Sequence, residues 1–215
     1  MVFKIHGERN SGTKFLTNLF EANFKFAPFQ EYYINNNCFF WKHGTFLKKH
    51  ISSQIDIFII RSLDNWLLSM FNNPYHLNKF SNFYDFIISK QSSSDTWTKD
   101  GHLNLPINYE DNDKTILEIR YFKLKKIFDY CNQNSNTIIV SLDYIQNPIN
   151  CEKFLRDINK IYNLNKNDNY ITSIKYIKKN YNINIDHFRN KICNIKNNYI
   201  ENYISNLTYI IKYSP

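Results

Sequence analysis

No run of about 18 apolar residues occurs anywhere in the chain, and the opening segment MVFKIHGERN has no apolar stretch ending in small residues, so neither a membrane span nor a secretory leader is expected and the protein is read as cytoplasmic. Cysteine is sparse. Cys38, Cys131, Cys151 and Cys193 lie far apart, form no CxxC pair and have no histidine at metal-ligand spacing. A zinc centre or a disulfide framework is therefore not expected, and the four are read as buried thiols. No repeat and no clear linker divides the sequence, which points to a single domain over residues 1–215. Basic residues exceed acidic ones, 27 against 19, for a formal charge of +8. The lysines are scattered beside asparagine and isoleucine, with no basic helix or arginine-rich arm, a bias typical of an AT-rich genome. Of the two readings of such a charge, a nucleic-acid surface and a pocket for a polyanionic small molecule, that distribution leaves the first the minor one.

What the chain does have is core material, 43% hydrophobic residues with 17% aromatics, arranged with two periodicities. Val2 to His6 and Thr137 to Leu142 read as strands, and Ile55 to Ile60 (IDIFII) is the nearly unbroken apolar run expected of a strand covered on both faces. Helical spacing appears in Phe15, Leu16, Leu19 and Phe20, in Trp66, Leu67, Met70 and Phe71 up to Asn73-Pro74, and in Phe83, Phe86 and Ile87. It recurs in Leu117, Tyr121, Leu124 and Phe128, in Phe154, Leu155, Ile158, Ile161 and Tyr162, and in Ile200, Tyr203, Ile204, Leu207 and Ile211. Residues 91–113 read as a loop or lid, and 163–215 as a helical C-terminal part whose segment 163–198 is asparagine-rich. Strands separated by helices imply βαβ crossovers, and hence an α/β fold with a central parallel sheet and helices on both faces.

Two segments carry the chemistry. Gly7-Glu8-Arg9-Asn10-Ser11-Gly12-Thr13-Lys14 nearly matches the phosphate-loop pattern GxxxxGK[ST], with the last two residues exchanged. The exchange puts Thr13 where a triphosphatase has its phosphate lysine. A glycine turn opening a helix would still aim successive N–H groups at an anion. The alternative is an ordinary βα turn in which Ser11 or Thr13 merely caps the helix. Farther along, Arg61 closes the IDIFII strand and Ser69 follows eight residues later. Ligands of parallel sheets bind beyond the strands' carboxyl ends, so Arg61 would share a rim with the 7–14 loop. Taken singly, Arg61 could equally be a surface cation and Ser69 a solvated helix residue.

Together these segments resemble the sulfotransferases that use 3′-phosphoadenosine 5′-phosphosulfate (PAPS). The family's RxSGTxxL loop is matched by Arg9-Asn10-Ser11-Gly12-Thr13-Lys14-Phe15-Leu16, and its later arginine and serine by Arg61 and Ser69. Arg61 to Met70 with Pro74-Tyr75-His76 is similar to the version R-N-P-x-x-W-x-x-S-M…P-Y-H. Leu142-Asp143-Tyr144-Ile145-Gln146-Asn147-Pro148 resembles Y-E-D-L…N-P, and Glu118-Ile119-Arg120 with Lys123 resembles L-R-x-x-K. Trp41-Lys42-His43-Gly44 resembles the W-K-H-G motif of some bacterial and viral members.

The resemblance spans residues 3 to about 162. It implies a three-layer phosphate-loop sulfotransferase fold, PAPS as cofactor with its desulfated product (PAP) left behind, and transfer to a hydroxyl of a carbohydrate, small molecule or protein. It implies cofactor contacts from Arg9, Asn10, Ser11, Gly12, Thr13, Lys14, Phe15, Arg61 and Ser69, with Arg189 of the late basic segment as a further candidate, and no metal. It implies His43 as general base; the three aromatics before His43 would also suit a structural histidine. Many family members carry Lys or Arg where this chain has Asn10, so Arg9, then Lys14, with Lys42 also available, become the candidates for charge beside the leaving oxygen. A monomer or homodimer is expected. A phosphate-loop kinase is disfavoured because the Gly-Lys-Ser/Thr order is missing, and no strand ending read here offers a clear magnesium aspartate. A non-catalytic nucleotide- or RNA-binding module would have to use aromatics that mostly fall at core spacing.

Overall fold

The computed structural model describes residues 2–8, 10–24, 33–34, 37–38, 54–74, 78–91, 113–164, 169–174 and 206–212. Their centre is a four-stranded sheet of β1 (Val2–Gly7), β4 (Gln54–Ile60), β7 (Thr137–Ser141) and β8 (Tyr209–Lys212), in that spatial order. The first three run parallel, with Gly7 opposite Ile59 and Ile60 opposite Ser141, so their carboxyl ends form one rim. β8 joins antiparallel, Ile211 facing Ile138. Two short ladders lie apart from it: β2 (Tyr33–Ile34) with β3 (Asn37–Cys38), and β5 (Lys90–Gln91) with β6 (Lys114–Thr115).

The largely apolar character of β4, interrupted by the buried Asp56, follows from its position between β1 and β7. Ile55, Ile57 and Ile59 pack with Phe3 and Ile5 against α1 (Thr13–Asn23) and α6 (Pro148–Tyr162), through Leu16, Leu19, Phe20, Phe154 and Leu155. The alternate residues Phe58 and Ile60 pack with Ile139 against Leu124, Ile127 and Cys131 of α4 (Ile116–Gln133). With both faces covered, period-two polarity has no reason to appear. A third cluster joins α2 (Leu63–Asn72), α3 (Phe83–Ile88) and the start of α4 through Leu63, Trp66, Met70, Phe83, Phe86 and Ile116. The described residues are thus mixed α/β, with a mostly parallel sheet between helices.

Helix starts follow local chemistry. Thr115 and Glu118 form a reciprocal capping box at α4. The Asn147 side chain accepts from Ile149 and Asn150 ahead of α6, with Pro148 at its first turn. A four-residue helix, α5 (Leu142–Ile145), follows β7 directly.

Two expectations need correction. The buried face of α4 is Ile116, Ile119, Arg120, Leu124, Ile127 and Cys131, whereas Tyr121, assigned to it from spacing, is 43% exposed. Apolar spacing alone could not reveal that a buried arginine belongs to that face. The C-terminal part is also not helical throughout. Tyr209 to Lys212 form a strand, because alternate residues there serve two faces: Tyr209 and Ile211 pack toward the α1/α6 side and Ile210 toward α4. The strand also pairs the edge of β7, which would otherwise present unmatched backbone groups. Cys131 and Cys151 are buried free thiols, as expected; burial pushes each thiol pKa up to about 12. Of the expected 91–113 loop, residues 92–112 lie outside the described residues.

Candidate anion-binding site

The loop between β1 and α1 is shaped by what its glycines lack. A Cβ on Gly7 would fall 2.3 Å from Ser11 Oγ and 2.7 Å from the Ile59 carbonyl oxygen, so only a glycine lets the chain pass this close to β4. Ser11 closes the turn, its amide donating to the Glu8 carbonyl at 3.1 Å and its hydroxyl to the same oxygen at 2.6 Å. Asn10 (φ 61°) and Gly12 (φ 101°) both take left-handed backbone, the conformation that asparagine and glycine tolerate best.

α1 then begins without a cap. Its first intrahelical bond runs from Leu16 N to Gly12 O at 3.0 Å, so the Thr13 and Lys14 amides have no acceptor within the helix. Gly12 has no side chain to supply one, and no acidic residue stands in the first turn. The positive end of the helix therefore faces the rim with neither of its usual local anions.

Arg61, the first residue beyond β4, is 7% exposed. Its Nη1 donates to the Asn10 carbonyl at 3.3 Å, and its buried Nε–H has no hydrogen-bond partner among the described residues. The Asn10 side chain crosses to α2, where Nδ2 donates to the carbonyls of Ser69 at 3.2 Å and Asn73 at 3.1 Å. The loop, the end of β4 and the last turn of α2 therefore meet on one rim. Asp143 pins the start of α2 from the β7 side, accepting from Ser62 N and Asn65 Nδ2, each at 2.7 Å. Beneath the loop, Arg120 Nη1 donates to Glu8 Oε2 at 2.7 Å and Nη2 donates to the Arg61 carbonyl at 2.7 Å. The Arg120 guanidinium lies 4.7 Å from the Trp66 ring centroid.

Several residues expected to contact a cofactor have other engagements. The Ser11 hydroxyl donates within the turn, and Phe15 is buried in the hydrophobic cluster against the sheet. Asn10 turns its side chain toward α2. Thr13 is buried at the first position of α1, and Lys14 is exposed at the second. Gly12, Thr13, Lys14, Arg61 and Ser69 are thus gathered around one loop, while Arg9, Lys42, His43 and Arg189 lie outside the described residues. Spacing did not single out Glu8, Arg120 or Asp143 for this rim. The charge of Glu8 beside the glycine loop was the available signal, but its partner Arg120 lies 112 residues away in sequence.

Farther down the α4 side of the sheet, His6 Nε2 lies 2.8 Å from Asp56 Oδ1, and Tyr130 donates its hydroxyl to Asp56 Oδ2 at 2.7 Å. Burial holds the His6 pKa below its ordinary value, against the opposing pull of Asp56. Lys4 nearby is lowered to about 8, again chiefly by burial. Among the described residues no group of three or more His, Cys, Asp or Glu could hold a metal ion, and no helix is long and apolar enough to cross a membrane. Comparison with family models, curated proteins and solved structures returns no match.

Proposed function

We propose that the chain is a sulfotransferase of the three-layer phosphate-loop type, moving the sulfuryl group of PAPS to a hydroxyl acceptor. The observation that carries this reading is the contact of Arg61 Nη1 with the Asn10 carbonyl at 3.3 Å, which brings a buried cation beside the start of α1. A ligand with anionic groups at two separated points suits such a rim. The residues fit it: the Arg61 Nε–H is buried without a partner among the described residues, and α1 starts without a capping side chain.

The Thr13 and Lys14 amides would hold the 5′-phosphosulfate end and Arg61 with Ser69 the 3′-phosphate, since guanidinium can grip two phosphate oxygens at once. PAPS supplies an activated sulfuryl group on a phosphate leaving group. The protein's part is to orient it, to place positive charge by the leaving oxygen and to take a proton from the acceptor hydroxyl. His43 is the proposed base. Lys14, exposed on the first turn of α1, and Arg9 are the proposed cations, because the Asn10 side chain is directed at α2.

Calorimetric titration with adenosine 3′,5′-bisphosphate, Mg-ATP and an oligonucleotide tests the reading, followed by transfer of labelled sulfuryl from PAPS to a panel of hydroxyl acceptors. Tight binding of the bisphosphate alone is expected. A folded sample that ignores it, or that turns over Mg-ATP, overturns the proposal.

A further inference from the structure

Arg120 stands on α4 at 1% exposure, where an arginine is expected only when its charge and donors are matched. Its guanidinium reaches three parts of the rim: Nη1 the Glu8 carboxylate at 2.7 Å, Nη2 the Arg61 carbonyl at 2.7 Å, and its plane the Trp66 ring of α2 at 4.7 Å. We propose that Arg120 is a positioning residue that fixes the separation between the glycine loop and Arg61, and so selects nucleotides phosphorylated at two positions over those phosphorylated at one. This inference rests on the sulfotransferase reading above and adds to it a determinant of ligand selectivity.

The connection at each end is direct. Glu8 follows the last residue of β1, and its carbonyl receives both donors of Ser11, so moving Glu8 moves the turn that starts α1. At the other end Arg120 holds the Arg61 carbonyl, which sets the point from which the Arg61 side chain departs toward Asn10. A guanidinium can serve both ends because its donors form a rigid planar fork that also stacks on an aromatic face, whereas an ammonium is a single point of charge. A buried ion pair of this kind contributes little net stability compared with apolar residues of the same volume. Geometric registry is a role that such a pair performs and a hydrophobic replacement does not.

The test is Arg120→Lys, which retains the charge opposite Glu8 but cannot reach both ends at once. Affinities for adenosine 3′,5′-bisphosphate and for adenosine 5′-phosphate are measured by calorimetry, using displacement where binding is weak. The bisphosphate is expected to lose about ten- to a hundredfold, as when a supporting residue that orients a binding group is removed. The monophosphate, which engages the loop alone, should lose less, because Ser11 still closes the loop locally on the Glu8 carbonyl. Equal losses on both nucleotides, or no loss, overturn the positioning role while leaving the functional reading intact. Wild-type protein that binds neither nucleotide overturns that reading and this inference with it. Should Arg120→Lys fail to fold, the double variant Glu8→Leu with Arg120→Met is read in the same way. It removes both members of the pair and leaves no unpaired buried charge, and an unchanged ratio of the two affinities there overturns the proposal.

Discussion

The side-chain amide of Asn10 donates to the Ser69 carbonyl at 3.2 Å, joining the loop after β1 to a helix turn 59 residues farther on. The same nitrogen reaches the Asn73 carbonyl at 3.1 Å, at the end of α2. An asparagine at this point is suited to the task twice over, since it offers N–H donors and accepts the positive φ of 61°. The asparagine of this loop is therefore used as a tether.

Replacing it with lysine, the residue that the resembled sulfotransferase motif often has there, should not improve the protein. Asn10→Lys removes the tether and puts a long side chain in left-handed backbone, and a loss of about 1–3 kcal/mol in unfolding free energy is expected. Urea denaturation measures the stability, and under the proposed function the rate of sulfuryl transfer should fall rather than rise. A stable variant with faster turnover would show that Asn10 merely occupies a vacant cation position.

His43→Ala is expected to lower turnover about 10²- to 10⁴-fold, the range for removal of a general base. Affinity for adenosine 3′,5′-bisphosphate should stay the same, because the proposed base serves the acceptor. Single-turnover kinetics beside a binding isotherm separate the two effects, and full activity in a folded variant removes His43 from the mechanism.

Asp143 acts as a tertiary cap for α2, accepting from Ser62 N and Asn65 Nδ2. Asp143→Ala should destabilise the protein by about 1–2 kcal/mol, as loss of a helix N-cap does. Asp143→Asn, which retains an oxygen acceptor, should cost less. Thermal unfolding of the two variants in parallel gives the comparison, and equal costs would show that the hydrogen bond to Ser62 N is not what matters.

The His6 site gives a pH dependence with a definite sign. His6 from β1 faces Asp56 of β4, which also receives the Tyr130 hydroxyl from α4, and Lys4 lies close enough to oppose a second positive charge. Because burial holds the folded-state pKa below the ordinary 6.5, the unfolded chain takes up a proton first as the pH falls. Stability should therefore decline below about pH 6.5, with His6 contributing up to about 1.4 kcal/mol per pH unit. His6→Gln should flatten that decline over the first unit below 6.5. Urea titrations at pH 7.0, 6.5, 6.0 and 5.5 would expose an unchanged slope, which would rule out His6 as the source.

What was legible in the amino-acid order is what carries a local signal. IDIFII reads as a strand covered on both faces, Phe15 to Phe20 as an amphipathic helix, and Gly7 and Gly12 mark the turn between them. Those features depend on neighbours within a few residues, as does the capping box of Thr115 and Glu118. Tertiary structure alone decided the rest. It gave Tyr209 to Lys212 to the β7 edge because an open strand edge outweighed a helical spacing. It turned the Asn10 side chain toward Ser69, and it joined Glu8 to Arg120 across 112 residues. Periodicity records how far a residue lies from its chain neighbours along a helix or strand, whereas a charge meets its partner wherever the packed elements bring it, and that distance is written nowhere in the local pattern.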